Sequence, residues 1–342
     1  ILSNGNYTVS SMAWKNGTRI NAGAVTWANA NAGISGPISE ANSLVGAFQE
    51  DNVGSGGVIP LKNGNYVVSS PLWYNGASLR GYGAVTFCLG AEGRTGFVNI
   101  NNSLVGTMWG DRVGSGGVVA LSDGNYAASS PEWDGVHETR GLGAVTWCDG
   151  SLGKVGLVTQ SNSMLGNYSD RIGNAGIVPL KNGSYLIRSL DWWNLDNKTD
   201  LGGINFNAGA VTWCKGGENS TGIVSAANSL VGWRRNDRVG LNVTVLANGN
   251  YVIGSSNWAN GPLDRAGAVT WGNMSEAFAG LVSISNSLVG SEAGEEFGEV
   301  VGSFRGVVPL NNGNYLVNSE RGVTWSNGNI VGLVADVPYV TL

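Results

Sequence analysis

Histidine, cysteine and charged side chains are scarce in this sequence, and their scarcity argues against whole classes of function. The 342 residues include one His and three Cys, and 13% are charged. A nucleophilic enzyme needs a base beside its nucleophile, whereas His137 lies between Val136 and Glu138 in a predicted loop, where a solvated side chain explains it. No His and Cys residues have the spacing of zinc ligands. We therefore expect no nucleophilic catalysis and no zinc site.

Basic clusters and long apolar segments are also missing. The net charge is −5, and Arg234 and Arg235 form the only adjacent basic pair. Nucleic-acid-binding domains usually carry a basic face, and a membrane-spanning helix needs about 20 apolar residues. The sequence predicts no nucleic-acid partner and no membrane insertion. It shows no signal peptide, but Ile1 falls in the middle of a repeated pattern, as in a mature product or an excised fragment, so export stays open.

Glycine and tryptophan are abundant instead, and they belong to motifs that recur about every 60 residues. Gly-Ala-Val-Thr-Trp or a variant ends at Trp27, Phe87, Trp147, Trp213, Trp271 and Trp325. Asn-Gly-Asn-Tyr or a variant ends at Tyr7, Tyr66, Tyr126, Tyr185, Tyr251 and Tyr315. Asn-Ser-Leu-Val-Gly or a variant begins at Asn42, Asn102, Asn162, Asn228 and Asn286, and Val-Gly-Ser-Gly-Gly-Val is clearest at 53–58 and 113–118. Such periodicity is typical of repeat proteins.

One repeat, residues 113–171, is expected to contain four antiparallel strands. They are A (Val118–Leu121), B (Tyr126–Ser130), C (Ala144–Trp147) and D (Leu157–Gln160), joined by turns such as Asp123-Gly124. Asp-Gly and Asn-Gly readily adopt the positive φ angles of tight turns. Four strands in each of several repeats predict an all-β fold, a closed β-propeller of about six four-stranded blades.

The ring is expected to close through the C-terminal strand, because an open array would leave strand edges unpaired. Ile1-Leu2 is a stub where other repeats have strand A, and residues 337–342 resemble the missing strand. The predicted blades of this single domain, 1–342, are 337–342 with 1–52, 53–112, 113–171, 172–238, 239–302 and 303–336. The short link before the closing strand leaves five blades as the alternative to six.

The motif order Val-Gly-Ser-Gly-Gly-Val, Ser-Ser-Pro, Gly-Ala-Val-Thr-Trp resembles the FG-GAP repeat of integrin-α-type propellers. The amino-acid sequences of the motifs are more similar to repeats of bacterial filamentous-haemagglutinin-like surface proteins. Those repeats carry Asn-Gly-Asn-Tyr-Val-Val-Ser-Ser-Pro and Ala-Gly-Ala-Val-Thr-Trp, as at 63–71 and 22–27 here. The resemblance implies a propeller and a secreted or cell-surface location. FG-GAP repeats often hold calcium, which needs about six oxygen ligands, but the A–B turns here contain at most one Asp, Asp123. We expect no metal and no cofactor.

The three cysteines each follow the aromatic residue of strand C, where other repeats have Ala28, Gly272 or Ser326. The position therefore suits a small side chain, and Cys behaves as a small hydrophobic residue. Equivalent points on neighbouring repeats are expected to exceed the roughly 7 Å between Cα atoms that a disulfide allows. The sequence predicts three free structural thiols, Cys88, Cys148 and Cys214.

The aromatic residues fall into two classes. Those of strand C recur in every repeat and are expected to pack between repeats. The others lie seven residues after the repeat Tyr, where the B–C loop opens, and are Trp14, Trp73, Trp133, Trp192 and Trp258. The sixth repeat lacks both this loop and its Trp, which favours a ligand-binding role; packing is the alternative.

Arginine and aspartate are expected on the same rim as these loops. Arg19, Arg80, Arg140 and Arg265 lie later in the B–C loops, and the D–A connections carry Asp51, Asp111, Asp170 and Asp237. Apolar surfaces with a few polar groups are what a small-molecule site requires. The predicted ligand-binding set is the five loop Trp, the four Arg, and Asp111, Asp170 and Asp237; ion pairs between repeats are the alternative. The longest loop, 191–208, is a candidate specificity loop.

These features favour a non-catalytic binding or adhesion module. The expected partners are glycans or a surface protein on the B–C/D–A face, because repeated weak sites gain by avidity. A structural spacer in a longer surface protein is the alternative. A polysaccharide-acting enzyme is a third hypothesis, with paired carboxylates such as Glu295-Glu296 as its weak basis.

Overall fold

A computed structural model describes residues 1–75, 81–135, 141–198, 204–299, 306–319, 322–326 and 335–337. Within these residues every regular element is a β-strand, and no helix has the length and apolar character needed to cross a membrane. The chain forms two compact units, Ile1–Pro179 with Gly217–Ile223, and Leu180–Gly216 with Val224–Leu342. The prediction of an all-β repeat protein is confirmed.

The first unit contains fifteen of the strands. They are β1 (Tyr7–Ser11), β2 (Ala24–Ala28), β3 (Ser43–Val45), β4 (Val58–Pro60), β5 (Tyr66–Ser70), β6 (Ala84–Cys88), β7 (Gly96–Phe97), β8 (Ser103–Val105), β9 (Gly117–Ala120), β10 (Tyr126–Ser130), β11 (Ala144–Cys148), β12 (Gly156–Leu157), β13 (Met164–Leu165), β14 (Ile177–Pro179) and β19 (Gly222–Ile223). Its sheets have the orders β1-β2-β3-β7, β4-β5-β6-β8-β12 and β9-β10-β11-β13-β19.

The second unit contains the remaining strands. They are β15 (Tyr185–Ser189), β16 (Asn194–Lys198), β17 (Ile204–Asn205), β18 (Ala210–Cys214), β20 (Ser229–Val231), β21 (Asn242–Val245), β22 (Tyr251–Ser255), β23 (Ala268–Gly272), β24 (Gly280–Leu281), β25 (Leu288–Val289), β26 (Gly306–Pro309), β27 (Tyr315–Ser319), β28 (Gly322–Ser326) and β29 (Ala335–Val337). They give the orders β15-β18-β20-β24, β21-β22-β23-β25 and β26-β27-β28-β29, and β16 pairs with β17 in a separate ribbon.

Strands A, B and C form close to where the sequence predicts them. In the second repeat Val68 pairs with Val58 on one side and with Thr86 on the other, both antiparallel. The β-branched and aromatic residues of these strands favour extended backbone. The A–B turn closes because Gly64 adopts a φ of 89° and the Leu61 amide donates to the Asn65 carbonyl at 2.8 Å.

The fourth strand is not the predicted one. In the third repeat the strand beside C is β13, with Ala144 opposite Leu165, whereas Leu157 lies in β12 and pairs in parallel with β8 of the preceding repeat. The reason is a polar turn between them: the Asn162 side chain donates to the Leu157 carbonyl at 2.9 Å and accepts from the Thr159 amide at 2.9 Å. The Asn-Ser-Leu-Val motif is therefore strand D itself, and the segment before it extends the sheet of the previous repeat.

The prediction of a closed β-propeller with six antiparallel blades is wrong. The chain does contain six repeats and six main sheets, but among the described residues no sheet closes, and four sheets mix parallel with antiparallel pairs. The predicted closing strand, 337–342, does not complete the first repeat at Val337, which pairs with Val323 as part of β29. Strand β29 occupies the place of strand D in the sixth repeat. Residues 338–342 lie outside the described residues.

In five of the six repeats strand C is joined to strand D by a buried pair of hydroxyl groups. Thr86 Oγ1 lies 2.7 Å from Ser103 Oγ, and the Ser103 hydroxyl lies 2.8 Å from Asn102 Oδ1. The same pair recurs in four other repeats at the same 2.7 Å, as Thr26–Ser43, Thr146–Ser163, Thr212–Ser229 and Thr270–Ser287. Buried polar groups that satisfy one another fix the register of strands. This pairing explains why Ser-Leu-Val can form a strand of only three residues.

The cysteines are confirmed as free and buried. Cys88 and Cys148 lie beside the buried Tyr66 and Tyr126, and burial raises the pKa of both thiols to about 12. Thiols with such high pKa values are poor nucleophiles near neutral pH. The strand-C position is structural in both repeats.

The Asn-Gly-Asn turns connect successive repeats. The Asn65 carbonyl oxygen Oδ1 accepts from the Gly90 amide at 3.1 Å within the second repeat, and its Nδ2 donates to the Gly150 carbonyl of the third repeat at 3.0 Å. Asn63 donates to the same carbonyl at 2.7 Å. A side-chain amide is required at Asn65, because one end must accept and the other must donate.

The Asn65→Asp substitution should therefore destabilise the protein. It places a carboxylate oxygen opposite the Gly150 carbonyl, and we expect the free energy of unfolding to fall by about 1–2 kcal/mol. Urea unfolding followed by fluorescence measures the change. Asn101→Asp is the matched control, since Asn101 is exposed in the same repeat. An equal loss in both variants would contradict the role assigned to Asn65.

Candidate functional site

The Trp residues that open the B–C loops are mostly buried. Trp73, Trp133, Trp192 and Trp258 are only 4–5% exposed, and Trp14 is half-buried. In the second repeat the Trp73 amide donates to the Ser70 carbonyl at 3.0 Å, and the Gly83 amide donates to the Trp73 carbonyl at 2.9 Å. The same two bonds close the loops at Trp14, Trp133 and Trp258. These residues hold the base of each loop, and their rings belong largely to the interior.

The aspartates of the D–A connections are buried and accept hydrogen bonds from main-chain amides. Asp111 Oδ2 accepts from the amides of Thr107 at 2.7 Å and Met108 at 2.9 Å, which lie in its own connection. Its other oxygen accepts at 2.9 Å from the amide of Asp134, which follows Trp133 in the next repeat. Each such carboxylate therefore ties a connection to the following B–C loop.

The same arrangement recurs in other repeats. Asp51 accepts from Phe48 at 2.8 Å and from Tyr74, after Trp73, at 3.2 Å. Asp237 accepts from Arg234 at 2.7 Å and from Ala259, after Trp258, at 3.2 Å. Asp170, also buried, accepts from the Asn167 amide at 2.6 Å.

The fifth repeat differs in a way that supports this role. Glu295 replaces the aspartate, and its Oε2 accepts from the amides of Ser291 at 2.7 Å and Glu292 at 3.2 Å. The repeat that follows has no B–C loop and no loop Trp. The short aspartate is thus kept where a B–C loop follows it. This also gives Glu295 a structural role.

Burial perturbs the titration of these carboxyl groups. Desolvation raises the pKa of Asp51 and of Asp237 to about 6, although the backbone amides pull in the opposite direction. The pKa of Asp111 is also raised by burial. All three are structural acceptors, and Asp51 and Asp237 lose their charge under mildly acidic conditions.

The ion pairs that the structure describes join arginines to glutamates. Arg265 forms an ion pair with Glu296 in the next connection, and Arg171 pairs with Glu132. Arg19 is exposed and lowers the pKa of Asp51 only through its field. Arg80 and Arg140 lie outside the described residues.

The candidate specificity loop of the fourth repeat contains the β16–β17 ribbon; its residues 199–203 lie outside the described residues. The Trp193 and Phe206 rings lie 6.0 Å apart, and the Arg235 guanidinium stands 3.7 Å from the Phe206 ring centre. The Asn194 side chain donates to the Gly232 carbonyl at 2.9 Å. A cation over a ring face in this way is favourable. The loop is thereby fixed against its own repeat's connection.

A set of exposed aromatic residues escaped the sequence reasoning. The D–A connections carry one in each of four repeats, and these are Phe48, Trp109, Tyr168 and Trp233. All four follow Asn-Ser-Leu-Val-Gly or its variant by one to three residues. Their recurrence at the same place in each repeat is the signal by which the sequence could have revealed them. The residue type at this place varies between repeats, whereas the loop Trp does not vary.

One cleft of about 350 Å³ lies beside Phe48, and we call it the Phe48 cleft. Trp73 and Tyr82 form its inner wall, and Asn75, Asn99 and Thr107 supply polar groups. Its rim is apolar and exposed at Phe97, Ile100 and Leu157. The Phe48 and Tyr74 ring centroids are 5.5 Å apart with an angle of 31° between the ring planes, so the two rings pack against each other.

A second cleft of about 390 Å³ lies beside Trp233 in the other unit, the Trp233 cleft. It is built from equivalent positions: Trp258 replaces Trp73 as the buried wall, and Leu281 and Ile284 replace Phe97 and Ile100 on the rim. Asn260, Ser283 and the charged Arg234 supply its polar groups. Two repeats thus present the same combination of an exposed aromatic ring, a buried Trp, and amide or hydroxyl groups.

Neither cleft contains a metal-binding set. Among the residues that the structure describes, no group of three or more His, Cys, Asp or Glu side chains is placed to hold a metal ion. Apart from Arg234 in the Trp233 cleft, the polar groups of both clefts are neutral amides and hydroxyls, and beside the aromatic rings they suit a polar ligand with apolar faces.

A repeat-family model matches the chain in six stretches, 1–55, 60–115, 120–174, 179–241, 245–299 and 309–336. The chain belongs to the family described as a repeat of unknown function, DUF5650. No curated protein matches it. The DUF5650 match confirms the six repeats, but it provides no link to FG-GAP or filamentous-haemagglutinin repeats, so those resemblances stay predictions.

The raised carboxyl pKa values predict that mild acid stabilises this DUF5650 protein. Asp51 and Asp237 have folded pKa values of about 6 against ordinary values of 3.8, so the folded state binds more protons between these limits. The free energy of unfolding should rise as pH falls from 7 to about 5, by about 1 kcal/mol for each group. This stabilisation is fully present below the pKa of the unfolded state, 3.8, and is lost as the pH rises through the pKa of the folded state, about 6.

Urea unfolding at a series of pH values measures this slope. Asp51→Asn and Asp237→Asn should each reduce the slope of the unfolding free energy against pH. Both variants also lose a carboxylate oxygen that accepts from main-chain amides, so they should unfold more easily at every pH. Asp264→Asn removes an exposed carboxylate and controls for the change in charge. An unchanged slope in both buried-site variants would contradict the prediction.

Proposed function

We propose that the protein is a non-catalytic binding module whose repeated clefts bind carbohydrate. The observation that carries the proposal is the recurrence, in the Phe48 and Trp233 clefts, of an exposed aromatic ring beside amide and hydroxyl groups, with Arg234 as an additional donor in the second cleft. A sugar ring has an apolar C–H face and a rim of hydroxyl groups, so it matches both features.

The size and polarity of the clefts support this ligand class. Their volumes of about 350 and 390 Å³ fall at the small end of the roughly 300–1,000 Å³ of small-molecule sites. Asn75, Asn99 and Thr107 in one cleft, and Asn260 and Ser283 in the other, offer both donors and acceptors. Aromatic rings contribute large contact areas with little loss of side-chain entropy.

Repetition supports a multivalent mode of binding. A small cleft holds a single sugar weakly, but a ligand that presents many copies can occupy both clefts and gain by avidity. The resemblance to surface-protein repeats favours a secreted or cell-surface setting, in which such glycans or glycoproteins are the available partners.

A structural spacer is the second candidate, and the buried loop Trp and Asp residues favour it. Those residues, which the sequence pattern assigned to ligand binding, hold one repeat to the next. In a spacer the exposed aromatic residues would have no ligand.

Glycan-array binding and haemagglutination test the proposal with the full chain. Phe48→Ala and Trp233→Ala should each weaken binding to a multivalent glycan about tenfold, the loss of roughly 1.4 kcal/mol of contact, and the double variant should abolish it. Leu152→Ala removes an exposed apolar side chain outside both clefts and should change nothing.

Three results would decide against the proposal. Binding that survives in the double variant places the site elsewhere. The absence of any glycan or protein ligand favours the spacer. Cleavage of a polysaccharide by the purified chain contradicts a non-catalytic module.

A further inference from the structure

One position common to the two clefts carries a ring in one cleft and a positive charge in the other. Phe48 and Arg234 each lie three residues before the aspartate of their connection, Asp51 or Asp237. The main-chain amide of each donates to Oδ2 of that aspartate, at 2.8 Å for Phe48 and 2.7 Å for Arg234. Both residues line their cleft. Arg234 therefore stands in the Trp233 cleft where Phe48 stands in the other.

The aromatic ring of the Trp233 cleft comes from the preceding residue. Trp233 is 47% exposed, and its amide donates to Asp237 at 2.9 Å. The corresponding residue of the Phe48 cleft is Ala47, which has no ring. The other oxygen of Asp237 accepts from the Ala259 amide of the opposite wall at 3.2 Å. One buried carboxylate thus fixes the main chain that carries both an apolar face and a cation.

The described residues give the Arg234 guanidinium no structural task. It is exposed, and among these residues it forms no ion pair and no side-chain hydrogen bond. The Asp237 carboxylate is already satisfied by three main-chain amides. Asp111 is held by amides in the same way, although Met108 occupies the place of Arg234. The connection therefore does not need a cation here, and the guanidinium is free to bind a ligand.

The charges around the cleft favour an anion at this position. Among the described residues that line the cleft, none has an acidic side chain. The field of Arg234 opposes the rise in pKa that burial causes at Asp237, but that carboxyl group is only 2% exposed and does not face a ligand. The whole chain has a net charge of −5, so general attraction of anions to its surface is not expected. An anionic ligand would be attracted locally, by Arg234.

We propose that the Trp233 cleft selects a sugar that carries a carboxylate, such as a uronic acid or a sialic acid. The Trp233 ring packs against the C–H face of the sugar, Arg234 binds the carboxylate, and Asn260 and Ser283 bind hydroxyl groups. A planar guanidinium matches the two oxygens of a carboxylate, and such charge-assisted hydrogen bonds are roughly twice as strong as neutral ones. The proposal rests on carbohydrate binding as the function of the clefts and adds the ligand class of one of them.

Oligosaccharides that end in a uronic or sialic acid, each paired with its methyl ester, test the proposal with the full chain. The ester keeps the hydroxyl groups and the apolar face of the sugar and removes the charge. In binding titrations at low salt the acids should bind about tenfold more tightly than their esters. This ratio of affinities should fall as salt is added, because an exposed ion pair is screened.

Three protein variants locate the preference. Arg234→Gln should reduce the ratio of acid to ester affinity to about one, because the charge-assisted bond is lost, and should leave the affinity for the ester within about twofold. Arg112→Gln removes an exposed arginine that lines neither cleft and should keep the ratio of the unaltered protein. Phe48→Ala should also keep it, because the Trp233 cleft is intact.

The results separate this proposal from the proposed function. Esters that bind as tightly as the acids overturn the selectivity but leave carbohydrate binding in place. A preference for acids that survives in Arg234→Gln overturns the site. Sulfated oligosaccharides that gain more from Arg234 than carboxylated ones overturn the assignment to a carboxylate. The absence of binding to acids and esters alike overturns both proposals.

Discussion

The exchange of hydrogen-bonding groups between consecutive repeats is the interaction on which the rest of this structure depends. The sheets consist of strands of two to five residues, which are too short to be stable alone. Asn65 donates to the next repeat, Asp111 accepts from the next loop, and Gly156–Leu157 completes the previous sheet. No repeat of this kind is satisfied by its own residues, as is general for proteins built from stacked units.

This dependence explains what could be predicted from the sequence. Strands B and C follow from local signals: a positive-φ turn at Gly64 or Gly124, then β-branched and aromatic residues. Comparing the repeats also shows that the strand-C position of the cysteines takes only small residues. Strand D could not be found in this way, because Leu157 has the local character of a strand but pairs with residues of the preceding repeat. The closed propeller failed at the same point, since it assumed four antiparallel strands in every blade, whereas four sheets contain a parallel strand from the following repeat.

The candidate site was predicted only in part. The D–A connections and B–C loops do provide the clefts, but the residues that the pattern favoured are mostly scaffold. A motif shows that Trp73 and Asp111 recur, and it cannot show that both are covered by chain from neighbouring segments. The more informative signal is variation: the loop Trp is the same in five repeats, while the exposed connection residue changes from Phe48 to Trp109, Tyr168 and Trp233. Constant residues hold the frame, and variable ones face the solvent.

The second to fifth repeats each add a parallel strand to the sheet of the repeat before, and this sets an order of assembly. The outer edge of β8 is covered only by residues 156–157, about 50 residues further along the chain. During synthesis a repeat that has left the ribosome must wait for the following one before its sheet is complete. For the first four repeats we therefore expect completion of each sheet to trail translation by nearly one repeat.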